Sequence, residues 1–219
     1  MDRFTHWFFD FDGTLCDTEP DIIGAWERAF ERGGIRCPDF RKRFKTGPTL
    51  QETIRLIFPE ASADECRQFG EAFKVAYDTS GFPHSVPYPG IEAWLTRLRE
   101  AGKRLAIVTN KRRKPLLMLL EKLGWNPYFD GLYTVDTFPD RKMTKNEVLA
   151  VALREMEAPA AVSVMVGDTV PDITAGQVNG IATAAVLWGY GAADALRAAH
   201  PDFLCSCPMD VGGKEGLND

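Results

Sequence analysis

Residues 8–18 read Phe8-Phe9-Asp10-Phe11-Asp12-Gly13-Thr14-Leu15-Cys16-Asp17-Thr18 (FFDFDGTLCDT). An aromatic run opening at His6 ends in two acids spaced by one residue, then a glycine. Gly13 breaks extended structure, so "HWFFDF" predicts a short buried strand feeding a loop. Side chains of a strand alternate between its faces. Asp10 and Asp12 are therefore expected on one side, with Phe11 turned into the core. Two carboxylates held together repel unless a cation or a proton comes between them.

On either side of this stretch the texture of the chain differs. Downstream, "EPDIIGAWERAFERGG" (19–34) has apolar residues at helical spacing and ends in a glycine pair. "TLQETIRLIF" (49–58) and "SADECRQFGEAFKVAYDTSG" (62–81) each open on a capping box, Thr49 with Glu52 and Ser62 with Glu65. No strand pattern interrupts them, so 17–85 is expected to be a helical insert. After "PYPG" (87–90) strand and helix patterns alternate. "RLAIVTN", "GLYTVD", "AVSVMVGD", "ATAAVLW" and "DFLC" are read as strands. The helices are "IEAWLTRLREAG", "KPLLMLLEKLG", "TKNEVLAVALREME", "DITAGQVNG" and "AADALRAAH". Near-continuous apolar strands alternating with helices imply an α/β fold, a Rossmann-like parallel sheet covered on both faces. The expected core is 1–16 with 86–219, with the helical domain inserted after the first strand. "GGKEGLND" (212–219) is expected to be a loose tail.

In open parallel sheets, ligands bind at the carboxyl ends of the strands. At those ends stand Asp10, Asp12, Gly13 and Thr14; then Thr109 and Asn110; then Gly167, Asp168, Thr169 and Asp172. A single aspartate there is commonly a turn cap. Acids at two strand ends, with a hydroxyl and an amide at a third, are an oxygen-only cluster of the kind that suits Mg²⁺.

In order, "FFDFDGTLCDT", "AIVTNK" (106–111), "TKNEVL" (144–149) and "VMVGDTVPDITAG" (164–176) resemble the four motifs of the haloacid dehalogenase-like hydrolase superfamily. "KTGPTLQETI", "VPYPGIEAWLTRLREAGKRLAIVTNK" and "VLWGYGAADALRAAHPDFL" are similar to its phosphoglycolate phosphatase-like branch, whose members carry a helical cap between the first two motifs. The resemblance implies a phosphatase acting on a small phosphorylated metabolite. Asp10 would be the nucleophile, and Asp12 the general acid and base with Thr14 helping to fix it. Thr109, Asn110, Gly13 and Lys145 would bind the phosphoryl oxygens. Mg²⁺ would be held by Asp10, the backbone carbonyl of Asp12, and Asp168, with Asp172 in support. Lys142 is the alternative to Lys145. A second acid at position 12 argues against carbon–halogen chemistry. A phosphosugar mutase, or a non-catalytic binding module on the same fold, remain the rival readings. The basic run Lys111–Lys114 is read as a solvated face, or else a rim that draws in anions. Arg43, Lys45 and Gly47 are candidate substrate contacts in the insert.

Composition narrows the partners. Of 219 residues, 45% are hydrophobic and 26% charged, as in a globular chain with a sizeable core. The net charge of -5 shows no basic stripe, so no nucleic acid polymer is expected. No apolar run is long enough for a membrane span, and the N-terminal one is too short for a signal peptide. Five scattered cysteines and three distant histidines complete no zinc site, and reduced thiols fit a cytoplasmic protein. The oligomeric state has no signature.

Overall fold

The computed structural model describes residues 3–138, 141, 143–208 and 210. Lys142 and the 212–219 stretch lie outside them. The chain divides into two units, Met1–Asp17 with Pro87–Asp219, and Thr18–Val86. Both crossings fall one residue beyond the boundaries read from the sequence.

The first unit is built on β1 (His6–Phe9), β4 (Arg104–Thr109), β5 (Gly131–Thr134), β6 (Ser163–Gly167), β7 (Ala182–Val186) and β8 (Phe203–Cys205); the two-residue strands β2 (Cys16–Asp17) and β3 (Val86–Pro87) lie at the crossings. The six form one sheet in the order β5-β4-β1-β6-β7-β8, every neighbouring pair parallel. The chain begins in the middle of the sheet, fills one side and then the other. β1, between β4 and β6, is thus the switch point at which a crevice opens beyond the strand ends. Phe9 pairs with Ile107 on one side and Val166 on the other. That register brings Asp10, Thr109 and Asp168 to the same end of the sheet.

The alternation along β1 shows how both faces are covered. Trp7 and Phe9 meet Trp94 of α5 (Ile91–Glu100) edge to face, with ring centroids 5.9 and 5.2 Å apart. Phe8 turns the other way. With Ala106, Val108 and Met165 it packs on Val148, Leu149 and Ala152 of α7 (Lys145–Glu155) and on Ala175 of α8 (Val170–Val178). Asp10 has the parity of Phe8, so it leaves the sheet on the face that carries α7. Helices α6 (Arg113–Leu123) and α9 (Ala193–Ala198) complete this unit.

The second unit holds α1 (Glu19–Gly33), α2 (Phe40–Arg43), α3 (Leu50–Ile57) and α4 (Ala63–Asp78). Its core is aromatic. Trp26 stacks on Phe73 at 4.5 Å, and Phe30 meets Phe40 and Phe58 edge to face. Both expected capping boxes form. The Thr49 and Ser62 side chains accept from the amides of Glu52 and Glu65, whose carboxylates accept from the amides of Thr49 and Ser62. Helix α2 was not expected. Its four residues contain one apolar side chain, too few to show a period. Arg43, a candidate substrate contact, donates to the Ile57 carbonyl at 3.0 Å and so closes the end of α3.

Candidate active site

The site grows from the turn after β1. The Asp10 amide still donates to the Val166 carbonyl at 2.9 Å, so the acid is fixed by the sheet although the strand ends at Phe9. The chain then doubles back. The amides of Leu15 and Cys16 donate to the Phe11 carbonyl, and that of Gly13 donates to the Cys16 carbonyl. Gly13 sits at φ +83°, and a Cβ there would collide with the Asp168 carboxylate and the Tyr190 ring. Only glycine meets both demands.

Asp10 is buried, as are Asp168, Asp172 and Lys145. Lys145 opens α7, and helical side chains lean toward the helix N-terminus, so its ammonium reaches back to the acid that follows β1. It pairs with Asp10 Oδ2 at 2.9 Å and also with Asp172 Oδ1. Asp172 lies in the first turn of α8, where its Oδ2 accepts from the Thr169 amide at 2.9 Å and hydroxyl at 2.6 Å. Asp168 accepts from the Thr14 hydroxyl at 2.9 Å and from the Tyr190 amide at 2.8 Å. The expectation that Thr14 fixes Asp12 is thereby corrected. The turn aims the hydroxyl at the next strand's acid.

Three buried acids lie together and one lysine pairs with two of them, Asp10 and Asp172, and their proton affinities respond. Burial pushes the Asp10 carboxyl up to about 6; Lys145 opposes the rise, while Asp172 and Asp12 add to it. Burial, with the charges of Asp172 and Asp10, pushes Asp168 up to about 7. Burial also works against the Lys145 ammonium, but Asp10 and Asp172 outweigh it and hold its pKa above the ordinary lysine value. Among the described residues, Asp10, Asp168 and Asp172 each offer an oxygen within 4.8 Å of the others. Asp10 Oδ1 is buried and accepts no hydrogen bond. Clustered, partly unsatisfied carboxylates with raised proton affinity fit a hard divalent cation such as Mg²⁺. The Asp12 side chain is not part of that trio.

The Asp12 carboxylate has a partner the sequence reading did not give it. Lys111 Nζ lies 2.7 Å from Asp12 Oδ1, and the lysine side chain is 3% exposed. Its ammonium also stands 5.8 Å from the centre of the Phe11 ring, and its amide donates to Thr109 Oγ1 at 3.1 Å. The basic run is thus not one solvated face. Lys111 points inward, and Arg113 donates its amide to Asp136 Oδ1 and its guanidinium to the Leu132 carbonyl. Asp136 answers the unpaired amide and the positive end of α6, which the basic run alone would leave uncompensated. Thr109 is buried at the end of β4, and Asn110 follows it, half-buried.

Tyr190 was also missed. Besides the amide bond to Asp168, its hydroxyl donates to Asp17 Oδ1 at 2.9 Å, and Trp188 donates its indole N–H to the Thr14 carbonyl at 2.9 Å. The segment "WGYG" (188–191) therefore braces the turn after β1. The available signal was its glycines, since a Cβ on Gly189 or Gly191 would run into Asp168.

Comparison with known proteins shows what the chain as a whole is similar to. The model of the haloacid dehalogenase-like hydrolase family matches residues 7–186. A phosphoglycolate phosphatase of Aquifex aeolicus is 33% identical over 206 residues, covering 93% of this chain and 92% of that protein. The pyrophosphatase PpaX of Bacillus velezensis is 31% identical over 209 residues, covering 95% of each. A haloacid dehalogenase-like family protein of Streptococcus pneumoniae superposes with a TM-score of 0.84 at 27% identity, over 96% of this chain and 98% of that one.

Proposed function

This chain belongs to the haloacid dehalogenase-like hydrolases, and from that premise we propose that it is a Mg²⁺-dependent phosphatase releasing phosphate from a small monoester through an aspartyl-phosphate on Asp10. One observation carries the reading. Asp10 is buried and fixed by the sheet, one of its oxygens is held by Lys145, and the other accepts no hydrogen bond. A carboxylate so placed is poised as a nucleophile.

The Asp10 carboxylate attacks phosphorus, and the bond from phosphorus to the ester oxygen breaks. The departing oxygen takes a proton from the Asp12 carboxyl. Water then attacks the aspartyl-phosphate, Asp12 takes up a proton from that water, and the Asp10–phosphorus bond breaks to give inorganic phosphate. Charge on the transferring group lies on its equatorial oxygens, so catalysis is chiefly positioning and charge stabilisation. Lys145, Thr109, Asn110 and the backbone at Gly13 are assigned to those oxygens. Asp10, the Asp12 carbonyl and Asp168 would hold Mg²⁺, with Asp172 supporting through Lys145 and Thr169. The cation would neutralise charge on the phosphoryl group.

Phosphoglycolate and inorganic pyrophosphate are the first substrates to try, since similar proteins bear those names. Both place a second anion on the departing group. Among the described residues no helix is long and apolar enough to cross a membrane; with all five cysteines free, we assign the chain to the cytoplasm.

The test is phosphate release from a panel of small esters and pyrophosphate, with Mg²⁺, with chelator, and with Asp10→Asn. Release that needs Mg²⁺ and disappears in Asp10→Asn is the expected result. Release that survives in Asp10→Asn overturns the nucleophile. An isomeric phosphosugar formed without net phosphate would make the chain a mutase.

A further inference from the structure

Of the three clustered acids, Asp10 and Asp172 face the Lys145 ammonium. Asp168 is held differently. Among the described residues its carboxylate rests on two uncharged donors, the Thr14 hydroxyl on Oδ1 at 2.9 Å and the Tyr190 amide on Oδ2 at 2.8 Å. Each oxygen takes one hydrogen bond and keeps acceptor capacity for a cation. One donor on each oxygen also fixes the plane of the carboxylate. The Tyr190 donor is backbone, so Thr14 supplies the side-chain half of that grip. Thr14 is fully buried. A buried hydroxyl costs free energy unless it is bonded, so a valine of the same shape would serve packing better. The Thr14 backbone is held from elsewhere, because its carbonyl accepts from the Trp188 indole N–H at 2.9 Å. Its β-branched side chain has little freedom about χ1. The hydroxyl thus reaches Asp168 already fixed, and it ties the turn after β1 to the acid that follows β6.

We propose that Thr14 is a positioning residue for the cation: its hydroxyl orients Asp168, and through Asp168 it sets the affinity of the site for Mg²⁺. This rests on the reading above in which Asp168 is a cation ligand. Removing a group that orients a metal ligand typically weakens metal binding by about 10- to 100-fold. Thr169 supplies the contrast within the same site. Its hydroxyl also bonds one of the three acids, Asp172, but that acid has the Thr169 amide and Lys145 as well. Without the Thr169 hydroxyl, Asp172 is still held at both oxygens. Without the Thr14 hydroxyl, Asp168 keeps the Tyr190 amide alone and its carboxylate can turn about that bond.

The experiment titrates Mg²⁺ calorimetrically, without substrate, into wild-type protein, Thr14→Ser, Thr14→Ala and Thr169→Ala, each first shown to be folded by a thermal melt in chelator. Phosphate release is then followed as Mg²⁺ is varied. The expected result is a Kd for Mg²⁺ that rises on the order of 10-fold or more in Thr14→Ala, stays near wild type in Thr14→Ser, and rises less in Thr169→Ala. Half-maximal activity in Thr14→Ala should need correspondingly more Mg²⁺, and most of the activity lost at low Mg²⁺ should return at high Mg²⁺. An unchanged Kd in Thr14→Ala overturns the proposal, with or without a loss of activity. So do equal rises in Thr14→Ser and Thr14→Ala, or a rise in Thr169→Ala as large as that in Thr14→Ala. Should Thr14→Ala not fold, Thr14→Val, which keeps the shape and removes the donor, takes its place with the same outcomes. Each of these leaves the phosphatase reading standing. Wild-type protein that binds no Mg²⁺, or releases no phosphate with it, sinks that reading instead.

Discussion

Lys145 carries more of the site than any other side chain, because it is the cation facing both Asp10 and Asp172. Removing it leaves two buried carboxylates facing each other without compensation, which breaks a buried pair rather than a surface one. Lysine and arginine are not exchangeable here, since a planar fork does not fit between two acids placed for a point charge. Lys145→Ala should lower kcat on the order of 10³-fold, and Lys145→Arg should not restore it. Lys142→Ala should stay close to wild type. Steady-state kinetics on the best substrate decide, and equal mild losses from both alanine variants would sink the assignment of Lys145. The acids were legible because each stands at a strand end in a recognisable motif. Lys111 was not, because three more basic residues follow it and a charge run reads as surface. What separates Lys111 from Arg113 is which way each turns at the start of α6, and that depends on tertiary partners, Asp12 for one and Asp136 for the other.

At the scale of elements, the strands were easy to read because both faces of the sheet are covered. β4 and β6 are buried along almost their whole length, so they appear as unbroken apolar runs. Helices α3 and α4 were legible from their capping boxes. Helix α2 and the single-turn segments Asn126–Tyr128 and Ala160–Val162 were not, since one turn offers neither period nor cap. The bracing segment 188–191 escaped for a different reason: its importance lies in having no side chain where it crosses Asp168. A Cβ on Gly191 would fall onto the Asp168 carbonyl oxygen, a backbone atom that cannot swing aside. Gly191→Ala should therefore cost on the order of 1–3 kcal/mol by overpacking. For a chain of this length that is a fall of several degrees in Tm. It should also weaken Mg²⁺ binding, because the Tyr190 amide that holds Asp168 moves with the segment. Calorimetric Mg²⁺ titration and a thermal melt test both parts. An alanine variant matching wild type in both would mean the segment shifts freely and does not position Asp168.

Across the whole molecule, the acid cluster ties stability to pH and to the cation. The Asp10 and Asp168 carboxyls sit at about 6 and about 7 in the folded chain, above the ordinary aspartate value. Between about pH 4 and pH 7 the folded chain therefore keeps protons that the unfolded chain has already released. More protons bound to the folded state means that rising pH destabilises it. The contribution is fully present at the acid end of this window and is lost as pH rises through the folded values. The two acids interact, so the loss belongs to the pair, not to either residue alone. Mg²⁺ seeks the same oxygens and binds them deprotonated, so the stability it adds must grow as the protons leave. Melting the protein in chelator and in excess Mg²⁺ should then give a small gap in Tm near pH 5 and a clearly larger one near pH 7.5. Asp168→Asn removes one of the titrating charges and one cation ligand together, so it should flatten the decline in chelator and close most of the gap. A gap of equal size at both pH values, or one that persists undiminished in Asp168→Asn, would separate cation binding from these carboxylates and place it elsewhere on the chain.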